Sequence, residues 1–402
     1  MAHSFTILGS YSGRNAGDAA ILASIMKTLT DRFGAATRFE VPTTHPAFIS
    51  ENYGEMFNVK PLSVMPWTGS IRLFGIPTLK SIASTDVTLI TDGIIFDVKL
   101  FNPLFNFLIT LIFLVPWANM LGKPVICYNV GVGPLRSKSG RAFARYVCNR
   151  CKLIIVRDTD SEALLREIGV SNAIHLKADA VFDNWGISKS EAESILGDLG
   201  ALGAAAEGRL LGVNITRYID AWLASREKMG STAGFLPMLA SVLAKLWVEH
   251  GIEPLIVITQ HMDHPYGERL QALVESAVRE RTGSAQKPGM ISNLSLSSHQ
   301  ILGVMSLCRL FVGMRLHSLI ISAKAGTPVV GMVYAPKVRS LLAQLGTPGL
   351  ACELATLDAA ALEQTLLYAW QNVDDIRQTQ QAVVQGLERS AVEAADLLAQ
   401  AV

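Results

Sequence analysis

FTILGSYSGRNAGDAAILASIMKTLTDRF, residues 5–33, is the stretch of the chain that decides the fold. Residues 5–9 are apolar and typical of a strand, a glycine-rich loop covers 10–17, and the spacing predicts a helix over 18–33. Asp18 is a favourable N-cap, and apolar side chains recur every three or four residues after it. A strand, a loop and a helix in this order begin a βαβ unit, the building block of parallel sheets.

The same alternation continues along the chain in two series. Further strands are predicted at 87–90, 124–128, 153–156 and 173–176, and a second series at 210–215, 255–258, 310–312 and 329–332. Amphipathic helical segments follow most of them. We therefore predict an α/β protein with two Rossmann-like domains that face each other across a cleft.

The length of 402 residues suits two domains of ordinary size, and the local composition suggests where they begin and end. We predict an N-terminal α/β domain over 1–182 and a polar, Gly- and Ala-rich linker over 183–208. A C-terminal α/β domain should cover 209–375, and a last helix over 376–402 should pack back toward the N-terminal domain.

Charge and cysteine content exclude several classes of protein. Lys and Arg number 35 and Asp and Glu 34, so the net charge of +1 gives no electrostatic basis for nucleic-acid binding. Five cysteines, with one CxxC pair at Cys148 and Cys151 and no second pair at zinc spacing, predict neither a disulfide framework nor a metal site. The N-terminus lacks the pattern of a signal peptide, so we expect a cytoplasmic protein.

The segment Leu104–Trp117, LFNFLITLIFLVPW, is unusually apolar. A helix needs about 20 apolar residues to span a bilayer, and this run is shorter. Two interpretations stay open: a buried helix, or an interfacial segment that contacts a membrane with Trp117 at headgroup depth.

Loops that follow strands hold the candidate functional residues, because ligands of open α/β sheets bind beyond the carboxyl ends of the strands. In the N-terminal half these are Asn15 and Asp18 in the first loop, Asp92 in Thr91-Asp92-Gly93, and Asn129 before a Gly-Val-Gly-Pro turn. The first loop matches neither a dinucleotide-binding GxGxxG motif nor a Walker A motif. Each segment also fits an ordinary turn or helix cap.

The C-terminal half places basic residues at corresponding positions. Arg315 and His317 lie at a junction between a strand and a helix, where free backbone N–H groups and the helix dipole favour an anion. Arg217 follows the first strand of this half, and Lys337 follows the strand after His317. Together they indicate an anion-binding site.

Taken in order, these segments resemble the polysaccharide pyruvyl transferase family from the first loop to about Leu345. The most specific part is GMRLHSLIISAKAGTPVVG, residues 313–331, with Tyr334 and Lys337 behind it. Asn15–Asp18, Gly131–Pro134, Arg157-Asp158 with Ser161, and Ala178-Asp179 also fit. One departure is Thr91-Asp92-Gly93, where members of the family often carry three glycines; it leaves the acceptor's identity in doubt.

The resemblance implies a glycosyltransferase-B-like fold and the transfer of a pyruvyl group from phosphoenolpyruvate to two sugar hydroxyls as a cyclic ketal. It implies no metal and no cofactor besides phosphoenolpyruvate as co-substrate. Catalysis would fall to His317, Arg315 and Arg217, and the donor would be bound by these three residues and Lys337. Acceptor hydroxyls would be bound by Asn15, Asp18, Asp92 and Asn129.

An acceptor linked to a lipid would place the enzyme at the inner face of the cell membrane, where Leu104–Trp117 could make a peripheral contact. Two alternatives stay open: a glycosyltransferase that uses a nucleotide-sugar, and a catalytically silent glycan-binding protein of a polymer-assembly complex. The sugar, the ketal positions and stereochemistry, the general base and the oligomeric state do not follow from the sequence.

Overall fold

The computed structural model describes residues 3–64, 75–101, 106–217 and 234–402. By their packing they form two compact units. Unit 1 comprises the chain up to Gly13, Asp18–Asp183 and Leu387–Val402, and unit 2 comprises Arg14–Gly17 and Asn184–Gly386. Each unit contains one parallel sheet with helices between its strands, which confirms the predicted Rossmann-like α/β class.

Unit 1 contains a seven-stranded sheet of order β3-β2-β1-β4-β5-β6-β7. Its elements are β1 (Ser4–Leu8), α1 (Ala16–Phe33), β2 (Arg38–Thr43), α2 (Pro46–Tyr53), β3 (Asn58–Ser63), α3 (Gly75–Ser84), β4 (Val87–Ile90), α4 (Phe107–Met120), β5 (Val125–Val130), α5 (Lys138–Cys148), β6 (Leu153–Val156), α6 (Thr159–Glu167) and β7 (Ile174–Leu176). The strands β1, β4, β5 and β6 are buried along their whole length, as a parallel sheet covered on both faces requires.

Unit 2 contains a six-stranded sheet of order β10-β9-β8-β11-β12-β13. Its elements are α7 (Lys189–Asp198), α8 (Leu202–Ala206), β8 (Leu210–Asn214), α9 (Phe235–His250), β9 (Glu253–Ile258), α10 (His264–Thr282), β10 (Gly289–Ser292), α11 (Ser298–Met305), β11 (Leu310–Gly313), α12 (Leu316–Lys324), β12 (Val329–Val333), α13 (Pro336–Gln344), β13 (Ala351–Glu353), α14 (Ala359–Gln371) and α15 (Val373–Ala401), whose last turns belong to unit 1.

Strand order reverses at one place in each sheet. In unit 1, β1 pairs with both β2 and β4, and in unit 2, β8 pairs with both β9 and β11. The connections that follow the neighbouring strands β1 and β4 run in opposite directions along the sheet, and so do those that follow β8 and β11. This divergence opens a crevice at the carboxyl ends of each pair of strands. These two edges hold most of the candidate residues.

Four strands were not predicted from the sequence. Three of them, β3, β10 and β13, lie at the edges of their sheets and lack a continuous apolar run. The fourth, β2, carries Arg38, Glu40 and Pro42. An edge strand has one bonded neighbour and tolerates polar residues, so it leaves a weak signal in the sequence.

The segments on either side of unit 2 are helical. Residues 183–208, predicted as a linker, contain α7 and α8, and α7 begins with a capping box between Ser188 and Glu191. The end of α15 packs in unit 1, where Lys177 Nζ lies 2.6 Å from Glu393 Oε2 and Ala178 N donates to Ser390 Oγ at 3.1 Å.

The apolar segment Leu104–Trp117 forms most of α4, with Leu104 and Phe105 outside the described residues. Leu108, Leu111 and Leu114 are buried in the core of unit 1. Trp117 is half-buried and its Nε1 donates to Leu79 O at 3.2 Å, so it is a packed side chain. Across the described ranges, no helix combines the length and the apolar composition that a bilayer crossing requires.

Candidate active site

Asn214, the last residue of β8, organises the carboxyl edge of the sheet in unit 2. Its side chain is fully buried, and its Nδ2 donates to Val257 O in β9 at 2.8 Å. Its Oδ1 accepts from Arg315 N at 3.1 Å and from Ser318 Oγ at 2.9 Å. One amide, which both donates and accepts, thus joins two neighbouring strands to the start of α12.

Asp263 holds the side chain of Arg315. It lies in the short 3-10 turn His261–Asp263 that follows β9, and it is completely buried. Its Oδ2 accepts a hydrogen bond from Arg315 Nε, and its Oδ1 accepts from Arg217 N at 2.9 Å. A buried carboxylate is stable only when it is paired and hydrogen-bonded, so this acid fixes the orientation of the guanidinium.

The other two basic residues of the prediction differ in their placement. Arg217 is exposed three residues after β8, and its backbone is bonded to the carboxylate that holds Arg315. Lys337 is exposed in the first turn of α13, with its Nζ 6.0 Å from the centroid of the Tyr334 ring. The structure therefore joins Arg217 and Arg315 through Asp263, and Lys337 is not a member of that group.

His317 lies in the first turn of α12, for which Arg315 is the N-cap residue. Backbone N–H groups of a first helical turn have no partner within the helix and carry the positive end of the dipole. A cation fixed at the N-cap and an imidazole in the first turn therefore share a place that favours an anion.

The segment Arg14–Gly17 belongs to unit 2 and packs beside His317. Ala16 N donates to Thr259 O at 2.8 Å, and His261 N donates to Arg14 O at 3.0 Å. A Cβ atom at Gly17 would lie 2.6 Å from three atoms of His317, which is closer than real Cβ contacts. Glycine at position 17 is thus required by the approach of the imidazole.

Asn15 was predicted on the acceptor side of the N-terminal domain, but it packs with unit 2. It forms an isolated antiparallel bridge with Gln260, and its Oδ1 accepts from Gly17 N at 2.9 Å. This bond is an Asx turn that shapes the backbone next to His317. The structure thus gives Asn15 a positioning contact in unit 2.

Arg157 is the centre of a buried charge cluster at the carboxyl edge of unit 1. Its Nη1 lies 3.2 Å from Asp179 Oδ2 and 3.8 Å from Asp92 Oδ1. Burial by itself would lower the pKa of Arg157, but the negative charges of Asp179 and Asp92 outweigh it and raise that pKa. Asp158, in contrast, caps α6 by accepting from Ser161 N at 2.7 Å.

The loop that departs from the family pattern lies beside this cluster. Asp92 has a φ of 60°, a left-handed conformation that glycine adopts without strain. Thr91 Oγ1 donates to Leu8 O at 2.9 Å and lies 2.5 Å from Tyr11 Oη. Burial, followed by the charge of Asp92, holds the pKa of Tyr11 well above its ordinary value.

Asp18 and Asn129 complete the residues predicted to bind the acceptor. Asp18 lies in the first turn of α1, and its charge acts on both Tyr11 and Arg157. Asn129 is 2% exposed, its Nδ2 donates to Ala178 O at 2.8 Å, and its Oδ1 accepts no hydrogen bond from the described residues. Asp18, Asp92 and Asn129 thus all belong to unit 1.

In the part of the chain that the structure describes, no three His, Cys, Asp or Glu side chains lie together as a metal site would need.

A family model described as polysaccharide pyruvyl transferase matches residues 15–336 of the chain. The chain belongs to the polysaccharide pyruvyl transferase family. The match spans most of the sequence and includes Arg157, Asp263, Arg315 and His317. It confirms the resemblance drawn from the sequence motifs and places the protein in an enzyme family that acts on polysaccharides.

Solved structures of distant sequence share the fold. UDP-GlcNAc 2-epimerase from Neisseria meningitidis, bound to UDP-GlcNAc, superposes with a TM-score of 0.60 at 10% identity, covering 99% of both chains. A glycosyltransferase from Rickettsia africae gives 0.59 at 12% identity, covering 100% of this chain and 98% of that one. ADP-heptose LPS heptosyltransferase II from E. coli gives 0.52 at 12% identity, covering 92% and 99%. At these identities the likeness shows the fold, which is that of glycosyltransferase-B enzymes and epimerases.

Two functional candidates were missed by sequence reasoning. Asp263 stands in Gln260-His-Met-Asp263, directly after a predicted strand, so the carboxyl-end rule could have found it. Arg157 stands next to Asp158 in the sequence, whereas Asp179 and Asp92 lie closer to its guanidinium, at 3.2 and 3.8 Å against 4.0 Å. Nothing in the order of residues indicates a pair that only folding brings together.

Proposed function

We propose that the protein transfers a pyruvyl group from phosphoenolpyruvate to two hydroxyl groups of a sugar and forms a cyclic ketal. The observation that carries the proposal is the Asp263–Arg315 pair at the N-terminus of α12, with His317 in the first turn. A guanidinium has five N–H donors, so one bond to Asp263 orients its plane and keeps its capacity for a planar anion.

The donor has two anionic groups, a carboxylate and a phosphate. Arg315 would bind the carboxylate, since arginine recognises planar anions through two parallel hydrogen bonds. The first-turn N–H groups of α12, with Arg217 and Lys337, would bind the phosphate. This division uses each cationic group for the anion that its geometry suits.

The reaction requires a proton at the methylene carbon of the donor. His317 would supply it, because imidazole can act as an acid near neutral pH. The central carbon then has oxocarbenium character, and the first sugar hydroxyl adds to it and loses its proton to the deprotonated His317. The bond from that carbon to the phosphate oxygen breaks, inorganic phosphate leaves, and the second hydroxyl closes the ketal and loses its proton to the phosphate or to a base.

The acceptor would be bound by acidic and amide side chains of unit 1. Asp18, Asp92 and Asn129 provide oxygens that accept hydrogen bonds from hydroxyl groups. Arg157 holds Asp92 in place. We further propose that the acceptor is lipid-linked, as in the assembly of polysaccharides at a membrane.

The test compares donors on the whole protein. Phosphoenolpyruvate should raise the melting temperature, because a ligand that binds only the folded state stabilises it, and UDP-GlcNAc should not. Incubation with phosphoenolpyruvate and candidate glycans should release inorganic phosphate and increase the glycan mass by one pyruvic acid minus one water. Stabilisation by nucleotide-sugars alone, with transfer of a sugar, would refute the proposal and support a glycosyltransferase.

A further inference from the structure

Unit 1 has an open cavity of about 680 Å³ at the amino-terminal edge of its sheet. The starts of β5, β6 and β7 and the chain after α4 and α5 line it. This edge is opposite to the carboxyl ends that hold the candidate active site. The proposed function makes no use of it.

The lining of the cavity is basic. Lys123, Arg150, Lys152 and His175 contribute to it, and neither Asp nor Glu is among its lining residues, all of which the structure describes. Lysine or arginine after a helix commonly offsets the helix dipole, and Lys123 and Arg150 occupy such positions. Lys152 stands between the end of α5 and β6, and His175 lies inside β7, so a helix dipole does not account for His175.

Acceptor groups near these cations are already engaged. Asn172 Nδ2 donates to Cys148 O and Cys151 O at 3.2 and 2.8 Å, and Asn119 Nδ2 donates to Arg150 O at 3.2 Å. Asp86 lies within electrostatic range of Lys123, but its Oδ2 already accepts from Ser4 N and Oγ. Arg150 is itself engaged, since its Nη1 donates to Tyr146 O at 3.1 Å and its guanidinium carbon lies 3.5 Å from the Tyr146 ring centroid, but a guanidinium has further N–H donors for an anion. The lining of the cavity is therefore net positive.

Exposed apolar side chains lie at the rim. Met120 is 79% exposed and Leu121 40% exposed, and in the chain both stand between the lining residues Asn119 and Gly122. Phe113, which is 58% exposed, precedes Met120 by seven residues and so lies on the same face of α4. Most of α4 is core, so these side chains are the part of the helix available to an external apolar phase.

We propose that this edge of unit 1 docks on an anionic phospholipid bilayer, with headgroup phosphates in the basic cavity and Phe113, Met120 and Leu121 in the interface. A soluble phosphate would need the cations alone, whereas a bilayer uses both the cations and the apolar rim. Within the segment Leu104–Trp117, where a membrane contact was expected, this site uses Phe113, whereas Trp117 is packed against unit 1. The proposal does not depend on the pyruvyl transfer.

Vesicle sedimentation of the full chain tests the docking. The protein should bind vesicles of phosphatidylcholine with one third phosphatidylglycerol, and bind neutral vesicles more weakly, with a decline as salt rises. Arg150→Glu/Lys152→Glu should lower the affinity for anionic vesicles at least about tenfold. The control Arg269→Glu/Lys287→Glu makes the same charge change at exposed positions of unit 2 and should bind as the original protein.

A second pair of variants keeps the test decisive if the charge reversal harms folding. Met120→Ser/Leu121→Ser should lower binding to anionic vesicles about fivefold, since it removes apolar area from the interface. Equal binding to both vesicle types, equal losses in the test and control doubles, or vesicle binding abolished by millimolar inorganic phosphate at constant ionic strength would each overturn the proposal. Pyruvyl transfer to a soluble acceptor should be unchanged in all these variants, which separates this proposal from the proposed function.

Discussion

The carboxyl edges of the two sheets share a strand order and differ in their charge. In unit 2 one buried acid, Asp263, pairs with Arg315 and also accepts a hydrogen bond from Arg217 N. His317 stands two residues after Arg315 in the chain. In unit 1 one buried arginine, Arg157, faces both Asp179 and Asp92. The first edge has an excess of basic groups and the second an excess of acidic ones.

Because the two edges have the same topology and opposite charge, the topology determines where a ligand binds and the side chains determine which ligand binds. A Rossmann-like crevice at the reversal of strand order accepts either arrangement. A basic edge suits an anionic donor, and an acidic edge suits hydroxyl groups that donate hydrogen bonds. The net charge of +1 for the whole chain conceals this division.

The largest effect is expected at the basic edge, from His317→Gln. If His317 is the general acid, kcat should fall about 10²- to 10⁴-fold with a much smaller change in KM for phosphoenolpyruvate. Steady-state phosphate release measures both constants, and His250→Gln, at an exposed helix end, is the control. A loss confined to KM would reassign His317 to phosphate binding.

At the acidic edge we expect Arg157→Met to cost about 3–5 kcal/mol of stability at pH 7, because it leaves buried carboxylates without a counter-charge. Urea denaturation at pH 7 measures the difference from the original protein. The control Arg339→Met breaks an exposed pair with Glu353 and should cost less than about 1 kcal/mol of stability. An equally small loss for Arg157→Met would contradict the stabilising role of the buried charge cluster around Arg157.

Asp263→Asn distinguishes positioning from binding at the basic edge. The amide can still accept from Arg217 N, but it lacks the charge that orients Arg315. We expect kcat to fall about 10- to 100-fold, because a small misplacement of a binding group is costly, while the affinity for phosphoenolpyruvate is kept or increases. Calorimetric titration together with kinetics separates the two, and a weaker donor affinity at unchanged kcat would refute the positioning role.

Gly17→Ala tests the close approach to His317. The added methyl group would lie 2.6 Å from the imidazole and must displace it, so we expect about a tenfold loss of kcat and a cost of about 1–3 kcal/mol. Gly386→Ala is the matched control, because its added methyl group meets nothing within 4 Å. That control should be neutral or stabilising by up to about 1 kcal/mol in thermal denaturation. Equal behaviour of the two variants would rule out the steric explanation.

The smallest effect concerns Tyr11 at the acidic edge. Its pKa is raised in the folded state, so above the ordinary value of 10.0 the unfolded chain loses the phenolic proton first and stability falls with pH. Tyr11→Phe should cost about 1 kcal/mol at pH 7 through the lost bond to Thr91 and should flatten the decline above pH 10. An unchanged alkaline slope in thermal denaturation would show that Tyr11 does not cause the decline.

Sequence reasoning succeeded where the signal was local. Most of the buried strands of both sheets, the helix α1 and the junction that holds Arg315 and His317 followed from apolar runs and turn residues. It failed for edge strands such as β3 and β13, which lack an apolar run because one side has no neighbour. It also placed Asn15 with the N-terminal domain, although Asn15 packs with unit 2.

Two Rossmann-like units, the family and a set of polar residues at strand ends could be predicted from the sequence alone. This was possible because periodicity and ordered motifs depend only on neighbours along the chain. Only the tertiary structure decided which of those residues share a site. Asp263 reaches Arg315 across 52 positions, and Arg157 lies closer to Asp179, at 3.2 Å, than to the adjacent Asp158, at 4.0 Å. Burial makes such pairs obligatory, since a charge removed from water must find its partner in space, wherever that partner stands in the chain.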